Sequence, residues 1–138
     1  MVVAAGVPFE RVRSDELREK IMFSLGQMRG EGNGEWLLGI VADKRYSIDT
    51  RKSALFNAGQ NRVPAADLVN LYGRLEEREM KEQLIWVMHE RRDPAAIDKL
   101  IDIAKKDTDP QVRRTAINLL GRSNNERAKQ FLKEFWER

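Results

Sequence analysis

Apolar positions recur along this chain in stripes of helical spacing, and the stripes come in copies. LREKIMFSLGQ, from Leu17 to Gln27, returns as TRKSALFNAGQ from Thr50, as MKEQLIWVMHE from Met80 and as VRRTAINLLGR from Val112. The four starts lie 33, 30 and 32 residues apart. The fifth and sixth residues of each copy are apolar: Ile21 and Met22, Ala54 and Leu55, Leu84 and Ile85, Ala116 and Ile117. The ninth is apolar as well: Leu25, Ala58, Met88 and Leu120. Offsets of zero, four, five and eight fall on one stripe of a helix, so each copy predicts a helix with one buried face. Two further positions are shared. The second residue is basic (Arg18, Arg51, Lys81, Arg113), and the tenth is Gly26, Gly59 and Gly121, with His89 the exception.

A second helical pattern follows each copy after a short break. It is carried by Trp36, Leu37, Ile40 and Val41; by Ala66, Leu68, Val69, Leu71 and Tyr72; by Ala96, Ile97, Leu100, Ile101 and Ala104; and by Ala128, Phe131, Leu132 and Phe135. Ser14, Ser47, Glu77 and Asp109 stand three residues before the copies as N-caps, Glu77 being the poor one. Pro110 follows its cap at the first helical position, Pro94 opens another helix, and Pro64 ends one helix and admits the next. Each unit therefore reads as a helix, a tight turn and an antiparallel helix. One such pair cannot cover its own apolar faces, so the pairs must stack. The expected units are about 14–46, 47–76, 77–108 and 109–138, forming one solenoid domain over 14–138. Residues 1–13 form a lead-in or the remnant of a preceding repeat, with Val7, Pro8 and Phe9 placed to fold back over the open end.

The segment DPQVRRTAINLLGRSNNERAKQFLKEF resembles a HEAT repeat of the short bacterial, PBS-lyase-like type. LREKIMFSLGQ and TRKSALFNAGQ resemble its first helix, and RRDPAAIDKLIDIAKKDTDP its second helix and outgoing turn. The likeness covers about residues 14–138 and lies at packing positions. It implies an all-α fold, a right-handed α-α superhelix of about four helix pairs, with a groove lined by the second helices. It also implies a non-enzymatic scaffold that binds another protein, here expected as the C-terminal part of a longer array. Related repeats occur in phycobilin lyases and in DNA repair proteins, which keeps a bilin-lyase or chaperone role and nucleic-acid binding as alternatives.

Composition narrows the chemistry. The 138 residues contain no cysteine, which excludes a disulfide framework and thiolate metal sites. The apolar run WLLGIVA, 36–42, is too short to span a bilayer, and MVVAAGV lacks the basic start of a signal peptide. A cytoplasmic location is the expectation, or an exported one if the chain is a fragment of a longer tethered protein. No zinc-protease, nucleophile-elbow or calcium-loop motif occurs, and the glycines of GEGNG, 30–34, lack the lysine and flanking strand of a phosphate loop; a flexible inter-helix turn is expected there. No catalytic residue, metal or cofactor is expected. His89, the single histidine, is expected to cap carbonyls at a helix end. Asp98 and Asp102 share a helix face with Lys99, Lys105 and Lys106, the pattern of a solvated charge surface. Trp136 is expected to cover the last open face.

The net charge is +3. Residues 109–138 hold seven basic side chains against four acidic, so the excess lies in the last repeat. Elsewhere the signs are interspersed, unlike the basic stripe of a typical nucleic-acid binder. The groove residues expected from the second helices are Asn70, Arg74, Lys99, Asp102, Lys105, Lys129, Gln130 and Lys133. The expected assembly is a monomer or a weak homodimer through an open repeat end.

Overall fold

The computed structural model describes residues 2–3, 7–8, 15–28 and 32–137. Among them are eight helices: α1 (Asp15–Gln27), α2 (Asn33–Ala42), α3 (Ile48–Gln60), α4 (Ala65–Tyr72), α5 (Arg78–Arg91), α6 (Pro94–Lys106), α7 (Pro110–Arg122) and α8 (Glu126–Trp136). A two-residue ribbon precedes them. Val2–Val3 (β1) pairs antiparallel with Val7–Pro8 (β2), Val3 opposite Val7. The fold-back expected of Val7, Pro8 and Phe9 depends on side chains outside the described residues. The helices group into two compact units, residues 1–63 and 64–138. The division falls between the two helices of the second expected repeat.

In the first unit α1, α2 and α3 each pack against the other two. In the second, every helix packs on its neighbour and on the next but one: α4 on α5 and α6, α5 on α6 and α7, α6 on α7 and α8, α7 on α8. This is a two-layer stack of helix pairs, with α5 and α7 in one layer and α4, α6 and α8 in the other. The all-α expectation and the alternation of first and second helices hold.

The repeated stripe explains the packing. In the third copy Met80, Leu84, Ile85 and Met88 are fully buried. Ala54, Leu55 and Ala58 of the second copy are too, as are Val112 and Ala116 of the fourth. Each buried leucine-sized side chain contributes ~1.5–3 kcal/mol. The first copy departs from the pattern: Met22 is buried, but Leu17 is 46% exposed and Ile21 and Leu25 are only half-buried.

Helix starts follow the capping signals in part. Ser47 accepts a hydrogen bond from the Thr50 N–H, and Asp109 from that of Gln111. Asp93 and Asn125 cap α6 and α8 in the same way. Glu77 gives no side-chain cap to α5, and Ser14 lies outside the described residues.

The glycine-rich turn is shorter than expected, because α2 begins at Asn33. Gly32 takes φ of +89°, a left-handed conformation that glycine adopts without strain. Gly34 is buried inside α2, where a Cβ would stand 2.4 Å from Val63 Cγ1 and 2.9 Å from Asn61 Oδ1. Its role is close packing against the end of α3. Asn61 in turn donates its amide to the carbonyls of Leu25, Gly26 and Met28, satisfying orphan acceptors at the end of α1.

Candidate functional site

The second-helix face of the second unit is held in place by the turn that leads from α6 into α7. Asp107 is its centre. Tyr72 at the end of α4 donates its hydroxyl to Asp107 Oδ2 at 2.5 Å, and the Lys81 ammonium of α5 donates to the same oxygen at 3.2 Å. Asp107 Oδ1 accepts the Asp109 N–H at 2.8 Å, and the Asp107 carbonyl accepts from Arg113 Nη1 at 2.7 Å. Burial alone would push this carboxyl up. The Tyr72 hydroxyl, the Asp109 N–H and Lys81 outweigh it and hold the group below the usual carboxylate range. Burial and the Asp107 carboxylate raise the Tyr72 phenol well above its ordinary value. Lys81 and Lys99 place their ammonium groups 5.6 and 5.2 Å from the Tyr72 ring centroid.

The basic residues at the second position of the last three copies have a related use. Arg51 is 1% exposed and donates Nε to the Val41 carbonyl at 2.8 Å, at the end of α2. Arg113 meets the carbonyl of the residue that ends α6, and Lys81 meets that residue's carboxylate. Arg51 and Arg113 thus satisfy carbonyls at the C-terminus of a second helix, where the helix dipole also favours positive charge, and Lys81 adds a cation at the same end of α6.

Beyond this anchor, α6 and α8 frame a shallow depression of ≈ 250 Å³ lined by Ile101, Lys105, Arg127, Gln130, Phe131 and Glu134. Ile101 and Phe131 are 8% and 6% exposed and form an apolar floor. The Lys105 ammonium lies 5.6 Å from the Phe131 ring centroid. Arg127 of α8 forms an ion pair with Asp98 of α6, and the Gln130 amide donates to Glu134 at 3.3 Å. A second depression adjoins along α8, lined by Glu126, Arg127, Lys129, Gln130 and Lys133.

The eight residues singled out in the sequence are distributed unevenly over this face. Lys105 and Gln130 line the first depression; Lys129, Gln130 and Lys133 line the second. Lys99 and Asp102 pair with each other at 3.5 Å on α6, and Lys106 also reaches Asp102, at 3.1 Å. Lys106 and Lys99 hold Asp102 below the usual carboxylate range despite some burial. Asn70 of α4 and Arg74, just past its end, are exposed. Arg127, Ile101, Phe131 and Glu134 were not singled out. Arg127, Gln130 and Glu134 stand three and four apart, so a stripe was readable on α8, but nothing in one sequence paired it with α6.

Residues 65–138 match the family model for HEAT repeats. The chain belongs to the HEAT-repeat family. No curated protein and no solved structure matches it. HEAT repeats in general serve as scaffolds and mediate protein interactions. In this HEAT-repeat chain the matched segment contains the whole stack from α4 to α8, and with it both depressions.

Other features of the HEAT array differ from their sequence expectations. His89 does not cap a helix end. Its ring meets the edge of Trp86 at a centroid separation of 6.1 Å, and its Nδ1 is buried without a hydrogen-bond partner. The Arg122 guanidinium lies over the other ring system, 5.8 Å from the Trp86 centroid. Trp136 is 87% exposed and covers no face; Phe135, its ring tilted against that of Phe131 at 5.5 Å, is 39% exposed. Among the described residues no group of three His, Asp or Glu side chains is placed to hold a metal ion. No described helix is long and apolar enough to cross a membrane.

Proposed function

We propose that this chain is a non-enzymatic HEAT-repeat scaffold that holds a protein partner against the α6–α8 face. Lys105, Lys129, Gln130 and Lys133 form the centre of the contact, and Asn70, Arg74, Lys99 and Asp102 extend it along the second helices. The observation that carries this reading is the first depression: an apolar floor of Ile101 and Phe131 under a rim of Lys105, Arg127, Gln130 and Glu134. Its ≈ 250 Å³ falls below the roughly 300–1,000 Å³ typical of small-molecule sites and suits a side chain of a partner. A buried apolar centre ringed by polar groups is the usual anatomy of a protein interface.

The test is affinity capture from a lysate of the source organism, with the unaltered chain and with Arg74→Glu, Lys99→Glu and Lys133→Glu combined. A stoichiometric protein captured by the first and lost by the second, at equal far-UV helicity, supports the reading. Capture unchanged by the triple reversal refutes the face assignment. Nucleic-acid binding is the second reading, favoured by the +3 balance of residues 109–138. It requires capture that disappears on nuclease treatment and duplex DNA binding that weakens steeply with salt.

A further inference from the structure

We infer that the α6–α8 face takes an acidic peptide segment carrying one apolar anchor residue. This deepens the scaffold reading above and rests on it. The charges on the face are unequally committed. Lys105 and Lys133 form no ion pair among the described residues. Arg127 and Lys129 are paired, with Asp98 and Glu126, but their side chains remain 68% and 52% exposed. Exposed pairs of this kind are worth only ~0–1 kcal/mol, so an incoming carboxylate exchanges with them at little cost. Along α8, Lys129 and Lys133 share a face one turn apart, about 6 Å at 1.5 Å per residue, roughly two residues of extended peptide.

The apolar notch sits beside these cations. Lys105 stands at its rim, its ammonium 5.6 Å from the Phe131 ring centroid. A carboxylate on the partner therefore reaches Lys105 while a neighbouring apolar side chain enters over Ile101 and Phe131. The same geometry disfavours nucleic acid. Glu126 and Glu134 interrupt the cations of α8, and a phosphate backbone running along the helix meets both. It also has no apolar group for the notch. A peptide carries charge at only some of its positions, so its carboxylates face Lys105 and Lys133 while the uncharged anchor faces Glu134 at the rim of the notch.

The experiment is selection of a displayed random-peptide library on the full chain, followed by anisotropy with labelled peptides synthesised from the enriched sequences. The expected result is enrichment of sequences that combine Asp or Glu with one Leu, Ile, Met or Phe. Replacing that apolar residue by Ser, or reversing Lys105→Glu and Lys133→Glu together, is expected to weaken binding by about tenfold. Both lysines are at the surface, so the variant folds, and its circular dichroism verifies this. Enrichment of neutral or basic sequences overturns the inference, as does affinity unaffected by the double reversal. An empty selection, with lysate capture still sensitive to the Arg74, Lys99 and Lys133 reversals, overturns it while leaving the scaffold reading intact. Loss of both removes the scaffold reading as well. Duplex DNA binding abolished by the same double reversal, with no peptide enriched, transfers the face to the nucleic-acid reading.

Discussion

The tenth position of the repeated helix is glycine at Gly26 and Gly121, yet alanine at the two sites has opposite expected effects. At Gly26 an added Cβ stands 3.0 Å from Asn57 Cβ and 3.0 Å from the Asn57 carbonyl oxygen, where α1 crosses α3. Unstrained carbon contacts lie near 3.5–4.0 Å, so the two helices must separate locally by about 0.5 Å. Overpacking of this kind costs ~1–3 kcal/mol, and the helix propensity of alanine returns ~0.5–1 kcal/mol. The net expectation for Gly26→Ala is a loss of ~0.5–2 kcal/mol. At Gly121 nothing lies within 4 Å of the added Cβ, so Gly121→Ala keeps the propensity gain, ~0.5–1 kcal/mol, reduced by its place in the last turn of α7. Urea unfolding measures both, by far-UV circular dichroism and by tryptophan fluorescence. Trp36 reports the first unit, and Trp86 and Trp136 the second. The midpoint is expected to fall for Gly26→Ala and rise for Gly121→Ala at unchanged m-value. A midpoint raised equally by both substitutions would refute the claim that α1 and α3 are in limiting contact.

Three further predictions concern the groups between helices. Arg51→Met leaves the Val41 carbonyl without its donor and is expected to cost ~1–3 kcal/mol in urea unfolding; Arg51→Lys should recover part of this, and a loss below ~0.5 kcal/mol would contradict the role. Asp107 has a depressed carboxyl, so its stabilisation is present above the unfolded carboxylate value of ~3.9 and is lost as pH falls through its lower folded value. Thermal melts between pH 7 and pH 2 should therefore show Asp107→Asn flattening the acid limb, and an unchanged limb would assign acid sensitivity elsewhere. Tyr72 is raised, so its contribution holds below the unfolded phenol value of ~10 and fades as pH climbs past it. Ultraviolet titration of the two tyrosines should show one remaining neutral until the helices unfold, and simultaneous ionisation of both would show the Tyr72–Asp107 bond to be absent.

Much of the fold was legible because a stacked repeat writes its core at a fixed spacing. Met80, Leu84, Ile85 and Met88 could be read as one buried face, and they are. The basic second position was visible as well, but its partner was not, since Arg51 reaches a carbonyl and carbonyls leave no trace in a sequence. The floor of the α6–α8 depression was hidden for a related reason. Ile101 and Phe131 each look like ordinary stripe residues, and only the packing of α6 on α8 brings them together. Of the polar positions chosen on the second helices, Lys105, Lys129, Gln130 and Lys133 line the two depressions; Arg127 lines both and was not chosen, because its ion pair with Asp98 depends on that same packing. Gly34 was misread because turn-forming dipeptides and tight-packing glycines look alike until Val63 is seen 2.4 Å from the absent Cβ. Trp136 was misread because an aromatic near a helix end says nothing of what lies opposite.

A stack of repeats melts one unit at a time unless something ties neighbours together, since each contacts only the next. The Asp107 turn is such a tie: one carboxylate and one carbonyl engage α4, α5 and α7 while ending α6. None of these four helices can open without breaking a bond at that residue. Amide exchange over residues 65–122 is therefore expected to follow one cooperative opening, with α8, which has no bond to the turn, fraying ahead of it. The face proposed for the partner thus spans a boundary between a rigid wall and a yielding one, and a ligand bridging α6 and α8 would slow exchange in α8 far more than in α6.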